Sequence, residues 1–424
     1  MLNATLLAGI LALTPGDAVE ILLDDERTAV VAAEELALLR PFPVQELFWI
    51  LQGDEIPAAW TKEGTFDHIL SNKQRTTIEL AFQDAPHGVC AQYLRGLAET
   101  EQSLETKATI VEILGWIGTV SDLSTLLLAA SPESERYLAP SKLRSAFARA
   151  LAEMHRRDAE ALEPELPWVF RHAHSGLRME VVKCVERQPI ADPIDLLARM
   201  LSVHTNMDVF VLQTMQVVAL RHGQRIGQSA LQAVRPFLHD QDPACVRLAC
   251  RTLGAMNDVE SISYLIQLLD TDDENLRTAA AYGLSVGTGL QFDDNVLRWR
   301  SWFERERTWW DDLAAERFNQ LATAPIDVAL QALNDISARC LDREALAAGV
   351  APALVRPEES VVLTACAYLR RLSAESCVAE LVDLLHREEA SIRAASHKAL
   401  RSITGLRLGA DPAEWEGVIR SIER

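Results

Sequence analysis

Residues Val246 to Trp299 are repeated without a gap 116 positions later, as Val362 to Trp415. Val246, Ala249, Cys250 and Leu253 fall on Val362, Ala365, Cys366 and Leu369. Leu265, Leu268 and Leu269 fall on Leu381, Leu384 and Leu385; Arg277, Ala279 and Leu284 fall on Arg393, Ala395 and Leu400. Thr288-Gly289-Leu290 falls on Thr404-Gly405-Leu406, and Trp299 on Trp415. Nearly all matched positions are apolar or small and recur at helical spacing, so the duplicated property is a packing pattern. A chain that repeats its packing is a repeat protein, each unit burying its apolar face against the next.

A shorter period lies inside the long one. Val246-Arg247-x-Ala249, Leu276-Arg277-x-Ala279 and Ile392-Arg393-x-Ala395 share the form apolar-Arg-x-Ala, the first two 30 residues apart. That spacing holds two helices of about three turns and two short turns. Each segment has a small-residue first helix and a leucine-rich second one, with Ile262, Leu265, Ile266 and Leu269 matched by Val378, Leu381, Val382 and Leu385. On these residues the chain resembles the HEAT-repeat superfamily, especially the bacterial HEAT-like repeats named after phycobilisome bilin lyases, over roughly residues 240 to 290 and 358 to 406. The resemblance implies an all-α, right-handed α-solenoid of stacked antiparallel helix pairs. Composition agrees: 49% hydrophobic residues but 6% aromatic, with no sustained alternating run to suggest strands.

Residues 1–100 are the least regular and read as an acidic N-terminal cap or module, with 101–424 as the solenoid and tandem units at about 246–303 and 362–419. Met1 to Leu13 reads as a first helix, since it lacks a basic segment and is too short to span a bilayer. Pro41-Phe42-Pro43 separates two helices, and Ile56 to Asn72 reads as an irregular insertion. Regular pairs are expected from Leu104 onward. Asp242-Pro243, Asp192-Pro193 and Ser131-Pro132 look like helix starts. Asp311 to Leu321, Ile326 to Ala338 and Arg343 to Leu354 read as helices between the two long copies.

The formal net charge is −20, and residues 1–60 carry ten acids against Arg27 and Arg40. Such a surface repels phosphate backbones and anionic membranes but admits a basic protein partner. Seven cysteines without a CxxC suit a reducing cytoplasm, where Cys serves as a small core residue.

Four features are candidates for chemistry. The repeated arginines Arg247, Arg277 and Arg393 read as ties to an acid in the adjacent turn, with Asp273 and Glu389 four residues before the last two. Each Thr-Gly-Leu follows a helix end, where glycine can take the left-handed closing position, the threonine bond a terminal carbonyl and the next tryptophan pack back. His172-x-His174 lacks neighbours that would complete a metal set. The densest cluster runs from Arg298 to Trp310: four of the nine tryptophans (Trp299, Trp302, Trp309, Trp310) and four arginines (Arg298, Arg300, Arg305, Arg307). On one helix the tryptophans form a stripe. Trp and Arg dominate interface hot spots, so Arg298, Trp299, Arg300, Trp302, Arg305, Trp309 and Trp310 form the candidate protein-binding set; the alternative is that the stripe packs beneath residues 311–357.

These observations point to a non-catalytic protein-binding scaffold with no cofactor and no metal. The apolar-Arg-x-Ala and Thr-Gly-Leu signatures resemble bacterial HEAT-like proteins, some associated with type VI secretion gene clusters, which implies an adaptor or chaperone role. Two alternatives remain open: a lyase or isomerase acting on a tetrapyrrole, and a helical-repeat nucleic-acid-binding protein, which the charge disfavours.

Overall fold

The computed structural model describes residues 15–24, 26–53, 69–100, 103–132, 139–222 and 226–422. The expected helix at Met1 to Leu13 and most of the insertion from Ile56 lie outside the described residues. Among those described, the chain is all-α, helices joined by short turns with no β-strand. It forms two compact units, Met1–Met207 and Asp208–Arg424.

Helix starts follow local chemistry. Ser71 and Gln74 close a reciprocal capping box on helix Asn72–Asp84. Ser103, Asp242, Asp273, Asn295 and Asp342 each accept a main-chain N–H from the first turn they precede. Ser131 does the reverse of what its following proline suggests. It ends helix Leu123–Ala130, its hydroxyl donating to the Leu127 carbonyl at 2.7 Å.

In the first unit the opening helices of successive pairs form one layer, here the A layer: Ala29–Leu38, Asn72–Asp84, Leu104–Ile117, Ser141–Arg157 and Ser175–Arg187, each packed on the next. Their partners form a B layer: Val44–Gly53, His87–Ala98, Leu123–Ala130, Leu166–His172 and Pro193–Ala198. The core lies between the layers, with Leu47, Phe48, Ile78, Leu94, Ile113, Phe147 and Phe170 fully buried. Stacking continues through residue 100, because Asn72–Asp84 packs directly on Leu104–Ile117. The division between compact units falls at 207/208.

The second unit repeats the scheme. Asp208–His222, Pro243–Ala255 and Glu274–Thr288 stack in one A-layer run, and Ile326–Ser337, Glu359–Leu372 and Ala390–Thr404 in another. Helix Val296–Asp312 bridges them on the B side, touching Ile262–Leu268 and Ala314–Thr323. Asp311 and Asp312 therefore end that helix instead of opening the next; the break falls at Leu313, where φ is −124°. Ile262, Leu265, Ile266 and Leu269 in the first copy and Val378, Leu381, Val382 and Leu385 in the second are all buried.

The sequence duplication is also geometric. Gly289 and Gly405 close their helices at φ 77° and 70°. The Thr288 hydroxyl donates to the Leu284 carbonyl at 2.7 Å and accepts from the Leu290 N–H at 3.2 Å; Thr404 does the same with Leu400 and Leu406 at 2.8 and 3.2 Å. Trp299 Nε1 donates to the Asp293 carbonyl at 2.8 Å, and Trp415 Nε1 to the Gly409 carbonyl at 2.7 Å.

Candidate partner-binding surfaces

The tryptophan stripe belongs to the core. Trp299, Trp302 and Trp309 are 0, 5 and 2% exposed, and Trp310 is half-buried against Phe318. Trp309 Nε1 donates to Asp335 Oδ2 at 3.2 Å, the Arg339 guanidinium lies 5.2 Å from its ring centre, and Phe318 meets it edge-on. Trp309 and Trp310 thus lie beneath the helix that follows, while Trp299 packs on Phe292 and Trp302. The arginines stand outside. Arg298, Arg300 and Arg305 are exposed, Arg300 paired with Asp270 and Arg305 donating to the Ser301 hydroxyl at 2.7 Å.

The same helix also buries an acid that no sequence motif marks. Glu306 is 2% exposed, held by the Cys340 N–H at 3.4 Å and by Arg339 at 3.5 Å. Burial raises its carboxyl above the usual range, and those donors pull it partly back.

Two of the three repeated arginines, Arg277 and Arg393, are tied to carbonyls. Arg277 donates to the Thr271 oxygen at 2.8 Å and Arg393 to the Arg387 oxygen at 2.8 Å; Arg178, near the start of helix Ser175–Arg187, likewise donates to the Ala173 oxygen at 3.0 Å. Asp273 is occupied in capping its own helix, and Glu389 pairs with Arg387. A second ladder links neighbouring repeats: Arg356 donates to the Leu321 oxygen at 3.0 Å, and Arg387 to the Arg356 oxygen at 3.4 Å. His172 and His174 are local, the first bonded to the Trp168 oxygen and the second accepting from the Gly176 N–H. All seven cysteines are free thiols. Burial pushes Cys184, Cys250 and Cys366 up to about 12, well away from the thiolate that nucleophilic chemistry needs.

The first unit carries a groove of about 670 Å³ across the exposed side of its A layer. Asn72–Asp84 contributes Arg75 and Glu79, Leu104–Ile117 contributes Glu112 and Trp116, and Ser141–Arg157 contributes Arg149 and Glu153. Two local features shape it. Gly115 lets its helix approach so closely that a Cβ there would stand 2.8 Å from the Ala150 Cα. Arg157 clamps the same pair, donating to the Gly115 and Gly118 carbonyls at 3.0 and 2.6 Å. Half-buried Trp116 forms part of the floor, 6.4 Å from Phe82.

The electrostatics of the groove are uneven. Glu153 is held below the usual carboxylate range by its bond to Arg156. Glu79 is raised, first by burial and then by repulsion from Glu153 and Glu112. Arg75, Arg149 and Arg156 share the lining with Glu79, Glu112 and Glu153, and Arg156 partly offsets the rise at Glu79. No helix among the described residues is long and apolar enough to cross a membrane.

Comparison with known proteins agrees with this architecture over part of the chain. Residues 214–285 match the HEAT repeats family, a span from within helix Asp208–His222 to within Glu274–Thr288. No curated protein matches the chain significantly.

Proposed function

We propose that the protein is a non-catalytic scaffold that holds an extended segment of a partner protein in the A-layer groove of its first unit. The observation that carries this reading is the groove itself. Successive helix pairs present one continuous trough, with an indole in its floor and charged side chains along its walls. Helical-repeat stacks offer extended binding surfaces of this kind, and aromatic anchors at such surfaces supply most of the affinity. The HEAT-repeat match over residues 214–285 supports the same general role. The formal net charge of −20 favours a segment bearing Lys or Arg. An adaptor or chaperone role in a bacterial cytoplasm fits this reading, and seven free cysteines accord with a reducing compartment.

The test is quantitative affinity purification from the native cell with wild-type protein, Trp116→Ala, Glu79→Arg, and the triple variant Arg298→Ala, Arg300→Ala, Arg305→Ala. The proposal expects one set of proteins whose recovery falls at least tenfold with either groove variant while circular dichroism stays unchanged. Unaltered recovery with both groove variants overturns it. Loss with the triple arginine variant alone moves the contact to helix Val296–Asp312.

A further inference from the structure

The second unit contains a separate cavity of about 590 Å³, walled by two copies of the same turn. Asn257 and Ser373 occupy equivalent positions in the duplication and share a left-handed backbone, with φ of 54° and 53°. Both line the cavity. Past that point the copies differ in charge. In the first, Arg235 grips Asp258 through Nε and Nη2 at 2.9 and 2.6 Å, and also reaches Glu260, so these charges are internally matched. In the second, Ala374 stands where the first has Asp258, and Glu375 follows, its carboxylate with no hydrogen bond or ion pair among the described residues. Burial alone pushes its carboxyl up to about 7.

Arg343 lines the same cavity. It is half-buried at the first position of helix Arg343–Val350, and among the described residues no hydrogen bond or ion pair holds its guanidinium. A Cβ on Gly289 would lie 3.7 Å from its Nη2, which sets the side chain beside the end of helix Glu274–Thr288. One cavity therefore holds a desolvated cation and a desolvated acid, each without a protein partner. Removing charges from water without pairing them costs free energy, and a ligand carrying the complementary charges recovers it. The volume lies in the range of small-ligand sites, and Leu220, Leu231, Val259 and Leu372 supply apolar lining.

We propose that this cavity binds a short zwitterionic peptide, its terminal carboxylate on Arg343 and its terminal ammonium on Glu375.

The test is isothermal titration of the full chain with a library of free tetrapeptides bearing apolar side chains. Each hit is then repeated as its C-terminal amide and its N-acetyl form. The proposal expects affinity to fall at least tenfold on amidation and in Arg343→Met, and at least tenfold on acetylation and in Glu375→Gln. Arg343→Lys retains the charge and recovers part of the binding, which separates loss of the site from loss of the fold. No binding of any free tetrapeptide below millimolar Kd overturns the proposal, as does equal affinity for the amidated form. Glu79→Arg leaves this binding unchanged, so the result stands apart from that of the groove in the first unit.

Discussion

Gly254 and Gly283 meet backbone to backbone: a Cβ at Gly254 would stand 2.4 Å from the Gly283 Cα and 2.3 Å from its carbonyl oxygen. Helices Pro243–Ala255 and Glu274–Thr288 therefore pack without any side chain between them at this point. Gly254→Ala forces the helices apart, and overpacking of this kind costs about 1–3 kcal/mol. Gly96→Ala, in a helix interior where an added Cβ meets nothing within 4 Å, is expected to stabilise by about 0.5–1 kcal/mol. Urea midpoints moving in opposite directions for the two variants bear this out; a neutral Gly254→Ala would contradict it.

Gly405 isolates the energetics of the left-handed helix end. Its φ is 70°, and no neighbouring atom lies within 4 Å of a Cβ built there. Gly405→Ala should therefore register conformational strain alone, about 1–2 kcal/mol. Gly405→Asn is expected to cost less, because asparagine tolerates that region. Thermal melts of the two variants decide the matter, and equal midpoints would show that the closing turn relaxes.

Trp415 is fully buried in the last repeat, with its Nε1 bonded to Gly409. Trp415→Ala is expected to cost about 3–5 kcal/mol through lost burial and the cavity left behind. Arg305→Ala, on an exposed side chain, is expected to stay within about 0.5 kcal/mol. Denaturation of both variants measures the contrast, and similar midpoints would remove the tryptophan from the packing scheme.

Glu375 gives the second unit a pH dependence of known sign. Burial raises its folded-state value from 4.5 to about 7, so the folded chain binds this proton more tightly than the unfolded one. The stability it contributes is complete below about 4.5 and is lost as pH rises through about 7. Glu375→Gln should flatten the stability profile across that window, read from urea midpoints at successive pH values. An identical slope in the variant would mean that the carboxyl is not desolvated.

The fold was legible because its repeat is written in apolar positions, and those positions are what the core uses. The helix closures at Gly289 and Gly405 were legible for a related reason: residue type and conformation are tightly coupled there. The partners of the repeated arginines were not. Arg277 and Arg393 reach back to main-chain oxygens six residues earlier, and a carbonyl leaves no mark in a sequence. The tryptophan stripe was legible as a stripe, but the same spacing serves a core or an exposed face. What decides it is the cover from Ala314–Thr323, with Phe318 against Trp309, a tertiary fact. The groove in the first unit escaped the sequence because Glu79, Glu112, Trp116 and Glu153 come from three separate helices and share no local motif.

Site-specific photo-crosslinking in the native cell tests the scaffold reading most directly, with benzoylphenylalanine placed once at Trp116 in the groove and once at Leu128, 48% exposed on helix Leu123–Ala130 of the B layer. The account predicts a discrete protein adduct from position 116, mapping to one extended segment rich in Lys or Arg, and none from position 128. Adducts from position 128 alone, or equal labelling from both positions, would contradict it.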